Sequence, residues 1–462
     1  MHTDKSIGRQ TIQRQGPDSH LFSDRDLFLL FLPVMAEQGL EYLIGMIDSL
    51  MAAQISEAAV SGVSLVDFIM AFMISLFTAL AAGGVTVIGQ YMGKEDPHRA
   101  GDAACQLVKT ALVTGILSAF LLFAIRRSIL HVLFGAVSED VYAAASIYYD
   151  IMLWSIPFLA LYNAGAGLFR SAGNARFPMK VMLCTNGLHI LGNAFCLFIL
   201  HMGVEGVAYP SLLSRIGAAF LILGAACRAS FPFCIRCALT SPVDASLIRQ
   251  ILSIGIPFGL ENGMFYLGRL IVLSIVALFG TAAIAANAVA GILSTFINLP
   301  GMAITLALPV IISRCAGAGR MDDVRYYTRK TALYMHTGFL LSSAVVLSAT
   351  PSFLHMYHLS PEAGHLTWII ILSLAAGHIL IWPAGYMLPV VFRSVGDVRF
   401  PMYISMASMV FCRLAMAYLF ALPLHMGMLG TWAAMFLDWI IKAAIYIHHY
   451  LKNRWTRYQV TS

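Results

Sequence analysis

Long apolar segments alternate with short polar ones along almost the whole chain. The segment from Val66 to Ile88 contains one charged residue, Asp67, and an apolar helix of about 20 residues is long enough to cross ~30 Å of hydrocarbon. Because backbone groups find no water in that layer, such segments cross it as helices. The pattern predicts twelve spans, near residues 27–50, 60–88, 103–125, 141–167, 180–201, 206–227, 250–279, 284–312, 326–350, 363–390, 402–422 and 427–451. We therefore expect an all-α integral membrane protein.

Composition supports this prediction, because 59% of the residues are apolar and only 11% are charged, against roughly 25% in soluble domains. The first 26 residues are polar, so no signal peptide is expected. With a cytoplasmic amino terminus, most Lys and Arg residues lie in the termini and the even-numbered loops, whereas the odd-numbered loops carry only Arg126 and Arg127. The positive-inside rule then predicts a multi-pass protein of the cell membrane with both termini in the cytoplasm. The net charge of +6 follows from this bias, so we expect no nucleic-acid partner.

The eight cysteines give no pattern for a metal or redox site. Cys234 and Cys237 form a closely spaced pair in a predicted loop, but a structural zinc site needs four ligands and a redox motif needs a soluble βαβ context. We expect reduced thiols there, and neither a metal site nor a cofactor.

An internal repeat covers nearly the whole chain. The sequence LFRSAGNARFPM at 168–179 returns as VFRSVGDVRFPM at 391–402, and a shift of about 224 residues also places Glu37 on Glu261. Each half holds six predicted spans, an even number, so the halves form parallel repeats, or lobes, around a central cleft. The predicted divisions are a cytoplasmic tail at 1–26, an N-lobe at 27–228, a linker at 229–249, a C-lobe at 250–451 and a second cytoplasmic tail at 452–462.

Four motifs together resemble the multidrug and toxic compound extrusion (MATE) family. They are the repeated dodecamer, GMIDSLMAAQIS at 45–56, GQYMGKEDPHRA at 89–100 and IGIPFGLENGMF at 254–265. The resemblance implies a secondary active exporter of amphipathic, often cationic, organic compounds. Export would occur in exchange for inward Na⁺ or H⁺, through alternating access between the two lobes.

Acidic residues within the predicted spans are the first candidates for ion coupling, because a charge at the bilayer centre is costly and is retained mainly for function. Glu37, Glu41 and Asp48 fall within about 40° of one another on the first helix and form an acidic stripe. The second lobe has Phe265 and Val272 at the positions equivalent to Glu41 and Asp48, so we expect the main cation or proton site in the N-lobe. Asp48 matches the first-helix aspartate of the family.

A polar face on the fifth predicted span is the second candidate. Asn186, His189 and Asn193 lie within about 60° of one another. Some relatives have a second acid where this chain has Asn193. His189 could titrate in its place, or it could be a neutral hydrogen-bonding group. Asn163 matches a polar position near the same site and could instead stabilise helix packing.

Further acids have open roles at this stage. The shared position of Glu37 and Glu261 is compatible with a structural role or with substrate contact, and Glu261 and Asp67 are assigned to the substrate cleft. Asp438 lies four residues before Lys442, so we expect a helical ion pair.

The repeated dodecamer itself is interpreted as an elbow between helices on the cytoplasmic side. Its arginines, including Arg170 and Arg393, suit an anionic membrane face. Its glycines, Gly173 and Gly396, permit a tight turn, and its prolines can begin the next helix. Those prolines are Pro178 and Pro401.

Two other function classes are less compatible with the sequence than an exporter. An intramembrane aspartyl protease is disfavoured because Ser394 stands where the second motif needs glycine, so we expect no enzyme. A flippase or exporter of a lipid-linked or other endogenous metabolite is the closer alternative. It is disfavoured because the basic residues within spans are too dispersed in sequence to indicate a phosphate site; they are Lys109, Arg215, Arg269, Arg413 and Lys442. The expected partners are a small organic substrate, a coupling cation and the lipid bilayer, with the chain a monomer.

Overall fold

The computed structural model describes residues 20–134, 137–228, 232–233, 241–357 and 359–458. Within these ranges the chain is helical and contains no strand, which confirms the predicted fold class. Residues 1–19 of the first predicted tail, residues 459–462 of the second and about half of the linker, with Cys234 and Cys237, lie outside the described residues. The helices are α1 Asp24–Ala53, α2 Glu57–Gly93, α3 Pro97–Ala124, α4 Arg126–Phe134, α5 Glu139–Leu153, α6 Ile156–Ser171, α7 Arg176–Ala194, α8 Glu205–Ala226, α9 Ala245–Ala277, α10 Gly280–Gly317, α11 Met321–Met356, α12 Pro361–Leu380, α13 Leu388–Val395, α14 Arg399–Ser408, α15 Met416–Ala421 and α16 Met428–Leu451.

Among the described residues, eleven helical segments are long and apolar enough to cross a membrane. α5 and α6 meet at a bend of 51° and together supply a twelfth. Two segments of π-helix, Phe195–Ile199 and Met409–Ala415, lie within other spans, and a third, Pro383–Met387, lies between α12 and α13. The count agrees with the twelve spans predicted from hydropathy.

Polar residues mark several helix starts. Ser23 accepts a hydrogen bond from the Asp26 backbone N–H, and the Asp26 carboxylate accepts one from the Ser23 N–H at 2.9 Å, which completes a capping box for α1. The Ser360 hydroxyl accepts a hydrogen bond from the Ala363 backbone N–H at the start of α12, and Pro361 follows in the first turn. These residues satisfy N–H groups that the helix itself leaves without partners.

The chain divides into two compact units, Met1–Gly255 and Ile256–Ser462, here called the N-unit and the C-unit. The division lies within α9, a few residues after the predicted linker. In the N-unit the long helix α2 packs on α3, α5 and α6. In the C-unit α10, of nearly the same length, packs on α11, α12 and α13. Each unit is therefore organised around one long helix, as the sequence repeat leads one to expect.

The two elbows end helices with left-handed glycines. Gly173 has φ +80° after α6 and Gly396 has φ +118° after α13, a region that residues with a Cβ rarely adopt. The N–H of the following residue, Asn174 or Asp397, donates to a carbonyl five residues earlier at 2.9 Å in both elbows. Pro178 and Pro401 are the third residues of α7 and α14 rather than the first.

Candidate functional site

Asp48 is the centre of a buried polar cluster in the N-unit. Its side chain is 11% exposed, and its Oδ1 accepts a hydrogen bond at 2.9 Å from Nδ2 of the fully buried Asn193. Nε2 of His189 lies 3.5 Å from the same oxygen. α1 supplies the carboxylate and α7 supplies both partners, so the structure brings the predicted acid and part of the predicted polar face together.

Ser211 of α8 fixes the orientation of the His189 ring. Its hydroxyl oxygen lies 2.8 Å from His189 Nε2 and also donates to the Val207 carbonyl at 2.8 Å. Since the hydroxyl has one proton and directs it to that carbonyl, Nε2 is the donor toward Ser211. The ring therefore needs no charge to satisfy its neighbours, which favours the hydrogen-bonding interpretation of His189.

Two amide groups on α7 have buried atoms without hydrogen-bond partners among the described residues. They are Oδ1 of Asn193 and Nδ2 of Asn186. A buried polar atom left without a partner is costly and calls for an explanation. The Asn193 oxygen belongs to a side chain that touches the Asp48 carboxylate, and carboxylate and amide oxygens are ligands that hard cations prefer.

Arg215 and Asp67 add charge beside this cluster. Asp67 accepts a hydrogen bond at 3.2 Å from the hydroxyl of Tyr148, while Arg215 donates to the Ser155 hydroxyl at 2.8 Å. The charges of Asp67 and Arg215 both act on Asp48. Asp67, assigned from sequence to the substrate cleft, thus lies in the electrostatic surroundings of the coupling candidate.

Glu37 makes a different set of contacts, so the acidic stripe of α1 is divided. Its carboxylate lies 3.3 Å from Nη1 of Arg170 and accepts a hydrogen bond at 3.0 Å from the Tyr162 hydroxyl. Both charged side chains are at most 5% exposed. Glu41, half-buried between Glu37 and Asp48, accepts from the Gln38 amide at 3.0 Å. Glu37 is therefore one member of a buried ion pair.

The C-unit repeats this ion pair. Nη1 of Arg393 lies 2.8 Å from Glu261 Oε2, and the hydroxyl of Ser405 donates to the other carboxylate oxygen at 2.7 Å. The interpretation that Arg170 and Arg393 face an anionic membrane surface is therefore wrong, because both are buried against a carboxylate of their own unit. The dodecamer arginines that remain exposed are Arg176 and Arg399.

Asn163 contributes to packing. Its Oδ1 accepts from the Thr78 hydroxyl of α2 at 3.1 Å, and its Nδ2 donates to the Leu159 carbonyl at 3.0 Å. Both amide ends are thus satisfied within α2 and α6, which agrees with the packing alternative.

A second charged cluster lies in the C-unit. Asp438 is fully buried and lies 2.9 Å from Lys442, which confirms the expected i,i+4 pair. Its other oxygen accepts from the Ser408 hydroxyl at 2.5 Å. Arg413 Nη1 approaches to 3.9 Å. The statement that the basic residues are dispersed thus fails for Arg413 and Lys442, which converge on one carboxylate from helices distant in sequence.

Sequence reasoning missed Tyr148, Ser211 and the role of Arg215 at the Asp48 cluster. Arg215 carried a usable signal, since an arginine in an apolar span is seldom there without a partner. The joint repetition of Glu37 with Arg170 and of Glu261 with Arg393 was a second signal, because acid and base recur with nearly the same spacing.

Comparison with known proteins agrees with this architecture. The MatE family model matches residues 33–195 and again 257–419. The chain is 25% identical over 439 residues to the uncharacterized transporter YisQ of Bacillus subtilis, covering 93% of this chain and 94% of the relative. It is 24% identical to the probable multidrug resistance protein NorM of Thermotoga maritima, covering 94% and 93%.

Solved structures show the same fold. An outward-facing multidrug resistance MATE family transporter of the MOP superfamily superimposes with a TM-score of 0.83 at 17% identity, covering 92% of this chain and 95% of that one. Each structural unit here holds one copy of the family domain. The chain, a multi-pass membrane protein, therefore belongs to the MATE family of transporters.

Proposed function

We propose that this chain is a secondary active exporter that expels amphipathic, often cationic, organic compounds in exchange for inward Na⁺ or H⁺, with coupling at Asp48. The observation that carries the proposal is the buried contact of Asp48 with Asn193, beside an amide oxygen that lacks a hydrogen-bond partner among the described residues. Relatives named multidrug resistance or multidrug export proteins support the substrate class.

The cluster gives the coupling a physical basis. The ionised Asp48 carboxylate accepts a hydrogen bond from Asn193 and lies near His189. When a proton or Na⁺ neutralises Asp48, its attraction to these hydrogen-bond donors becomes weaker. Cation binding thus changes the interaction between α1 and α7. A ligand shifts the equilibrium between two conformations when it binds one of them more tightly than the other. We propose that this shift drives alternating access.

Charge in the N-unit supports an attraction for cations. Its membrane-embedded side chains include four carboxylates, Glu37, Glu41, Asp48 and Asp67, against three cations, Arg170, Arg215 and Lys109. The pair formed by Glu37 and Arg170 is neutral as a whole. Of the remaining acids, Asp67 acts on Asp48 together with Arg215.

The proposed setting follows the distribution of basic residues. Both termini lie in the cytoplasm, the chain acts in the cell membrane, and a single copy contains both repeats. The chain is proposed to act as a monomer.

Everted vesicles, in which the cytoplasmic face points outward, test the proposal with a fluorescent lipophilic cation added outside. An imposed Na⁺ gradient and an imposed pH gradient are applied in separate runs, and we expect one of them to drive dye transport. Asp48→Asn should abolish that transport, whereas the matched control Asp140→Asn, at an exposed position, should retain it. Unchanged transport by Asp48→Asn would remove Asp48 from the mechanism.

A flippase or exporter of a lipid-linked or other endogenous metabolite is the second candidate. The convergence of Arg413 and Lys442 on Asp438 favours it, because clustered cations suit an acidic group. Gradient-independent movement of a lipid-linked substrate, with no dye transport, would establish it over the first.

A further inference from the structure

We infer that the C-unit binds the carboxylate of a transported amphipath between the Arg413 guanidinium and the Lys442 ammonium. The inference rests on the proposed export function, since it names a chemical group on the exported molecule. It adds an anion site to a protein whose N-unit attracts cations.

Unequal pairing around Asp438 is the first argument. Lys442 lies 2.9 Å from Oδ2 of Asp438, an oxygen that accepts no hydrogen bond among the described residues, and the Ser408 hydroxyl donates to Oδ1. Arg413 stands at 3.9 Å, beyond hydrogen-bond distance, with its side chain 12% exposed. Among the described residues, no hydrogen bond to its five N–H donors is found. Two cations thus share one anion in an apolar span.

The neighbouring ion pair of Glu261 and Arg393 does not supply the negative charge that Arg413 and Lys442 lack. Glu261 is matched by Arg393 at 2.8 Å, so that pair is neutral as a whole. The charge of Arg413 also acts unfavourably on Lys442, because the two cations are close. A further anion would remove the repulsion and satisfy the free guanidinium donors, and guanidinium groups bind carboxylates in bidentate geometry.

Aromatic side chains supply the walls of such a site. The Arg413 guanidinium lies 5.5 Å from the centre of the Phe265 ring, and the Lys442 ammonium lies 4.7 Å from that of Tyr386. Tyr386 stacks on Trp382 at 4.7 Å between ring centres. Apolar rings thus border both cations, and binding sites for organic compounds are mainly apolar with a few placed polar groups.

Two independent features point to a ligand. Nε1 of Trp439, a residue 4% exposed and in edge contact with Tyr386, has no acceptor among the described residues. It is a third N–H donor in the same aromatic cluster. Arg413 and Tyr386 also both lie on π-helical segments, Met409–Ala415 and Pro383–Met387, a geometry that is frequent at functional sites.

A matched pair of dyes tests the inference. A rhodamine with a free carboxylate and its methyl ester share one chromophore and one cationic xanthene. Their affinities for the purified full-length chain are measured by fluorescence polarisation, without any gradient. We expect the free acid to bind about tenfold more tightly than the ester. Equal affinities, or tighter binding of the ester, would overturn the inference.

Three variants test whether the preference for the free acid arises at Arg413. Arg413→Gln leaves the Lys442–Asp438 pair in place and should abolish the preference for the acid without weakening ester binding. Arg413→Lys should retain part of the preference. Arg269→Gln, the same chemical change at an exposed arginine of a C-unit span, should leave it intact. A preference that survives Arg413→Gln would assign the carboxylate to another site.

One measurement needs no variant. Benzoate should displace the acid dye from the wild-type chain, and the uncharged benzamide should not; equal displacement would contradict the inference. Short-chain phosphatidylglycerol and phosphatidylcholine form a further pair. Selective displacement by phosphatidylglycerol alone would assign the cations to a lipid headgroup and reject a transported carboxylate.

The outcomes separate this inference from the proposed export function. A failed preference for the acid, together with gradient-driven transport that depends on Asp48, would reject only the anion site. A clear preference in detergent, without gradient-driven transport, would reject only the antiport mechanism.

Discussion

Glu261 Oε2 lies 2.8 Å from Arg393 Nη1, and the equivalent pair in the other repeat, Glu37 and Arg170, lies at 3.3 Å. Each pair joins the first span of its unit to the helix that ends at the elbow. A contact that occurs in both repeats is expected to have a structural role that both units share. Asp48, in contrast, has no acidic counterpart in the C-unit, where Val272 occupies the equivalent position. We therefore assign the duplicated pairs to the architecture of each unit.

Breaking one of these pairs should be costly. Arg393→Met leaves Glu261 as a buried carboxylate without its cation, and loss of one partner of a buried pair typically costs about 3–5 kcal/mol. We expect a clear fall in the melting temperature of the purified protein. The double variant Glu261→Gln with Arg393→Met should recover most of that loss, and a double variant as unstable as the single one would contradict this account.

Adding a second acid beside Asp48 should strengthen cation binding. In Asn193→Asp a carboxylate replaces the amide that lies 2.9 Å from Asp48, so a bound Na⁺ would gain a second charged ligand. We expect Na⁺ to stabilise this variant more than the wild type, by about 1.4 kcal/mol for tenfold tighter binding. Melting in sodium chloride is compared with melting in choline chloride. An identical response of both proteins would remove Asn193 from the cation site.

Replacing His189 by glutamine should leave transport largely intact. A glutamine amide can still donate to the Ser211 hydroxyl, which is the role assigned to Nε2. We expect at least about half of the wild-type transport rate and an unchanged pH profile, since the neutral ring already satisfies its hydrogen bonds. A lost pH dependence would instead show that His189 titrates during the cycle.

The C-unit elbow should impose a pH dependence on stability. Asp397 follows Gly396 in the turn, is 2% exposed and contacts His449 Nε2 at 2.8 Å. Burial raises the pKa of its carboxyl above the usual value. The folded state thus favours the protonated form, and this group lowers stability as pH rises above about 4.

Asp397→Asn is the test of that expectation, since the other elbow already has Asn174 there. The melting temperature of the variant should depend less on pH over the acidic range than that of the wild type. An unchanged slope would show that Asp397 does not contribute.

Alanine at the C-unit elbow glycine should destabilise the turn. Gly396 has φ +118°, where a Cβ is strained, so Gly396→Ala should cost roughly 1–2 kcal/mol. Gly39→Ala is the matched control, because Gly39 lies within α1 and an added Cβ there would have nothing within 4 Å. The control should be neutral or slightly stabilising. Equal effects of both changes would refute the role of the left-handed turn.

Much of the fold follows from the sequence, because an apolar stretch of sufficient length has one way to cross a bilayer and a repeat fixes which helices correspond. The Asp48 site follows in part, since helical periodicity places His189 and Asn193 on one face. Ser211 and Tyr148 reach the cluster through packing between helices, which periodicity within one helix does not report. The approach of Arg413 to Asp438 could not be predicted from the sequence for the same reason, because the two residues are 25 positions apart and lie on different helices.

Helix α1 carries both the pair that anchors it and the acid proposed to bind the cation. Glu37 and Asp48 are eleven residues apart, about 16 Å along the helix axis. Between them lie Gly39 and Gly45, where an added Cβ would have nothing within 4 Å. Arg170 holds α1 near its middle, at Glu37, so a tilt of the helix about that point displaces Asp48 more than Glu37.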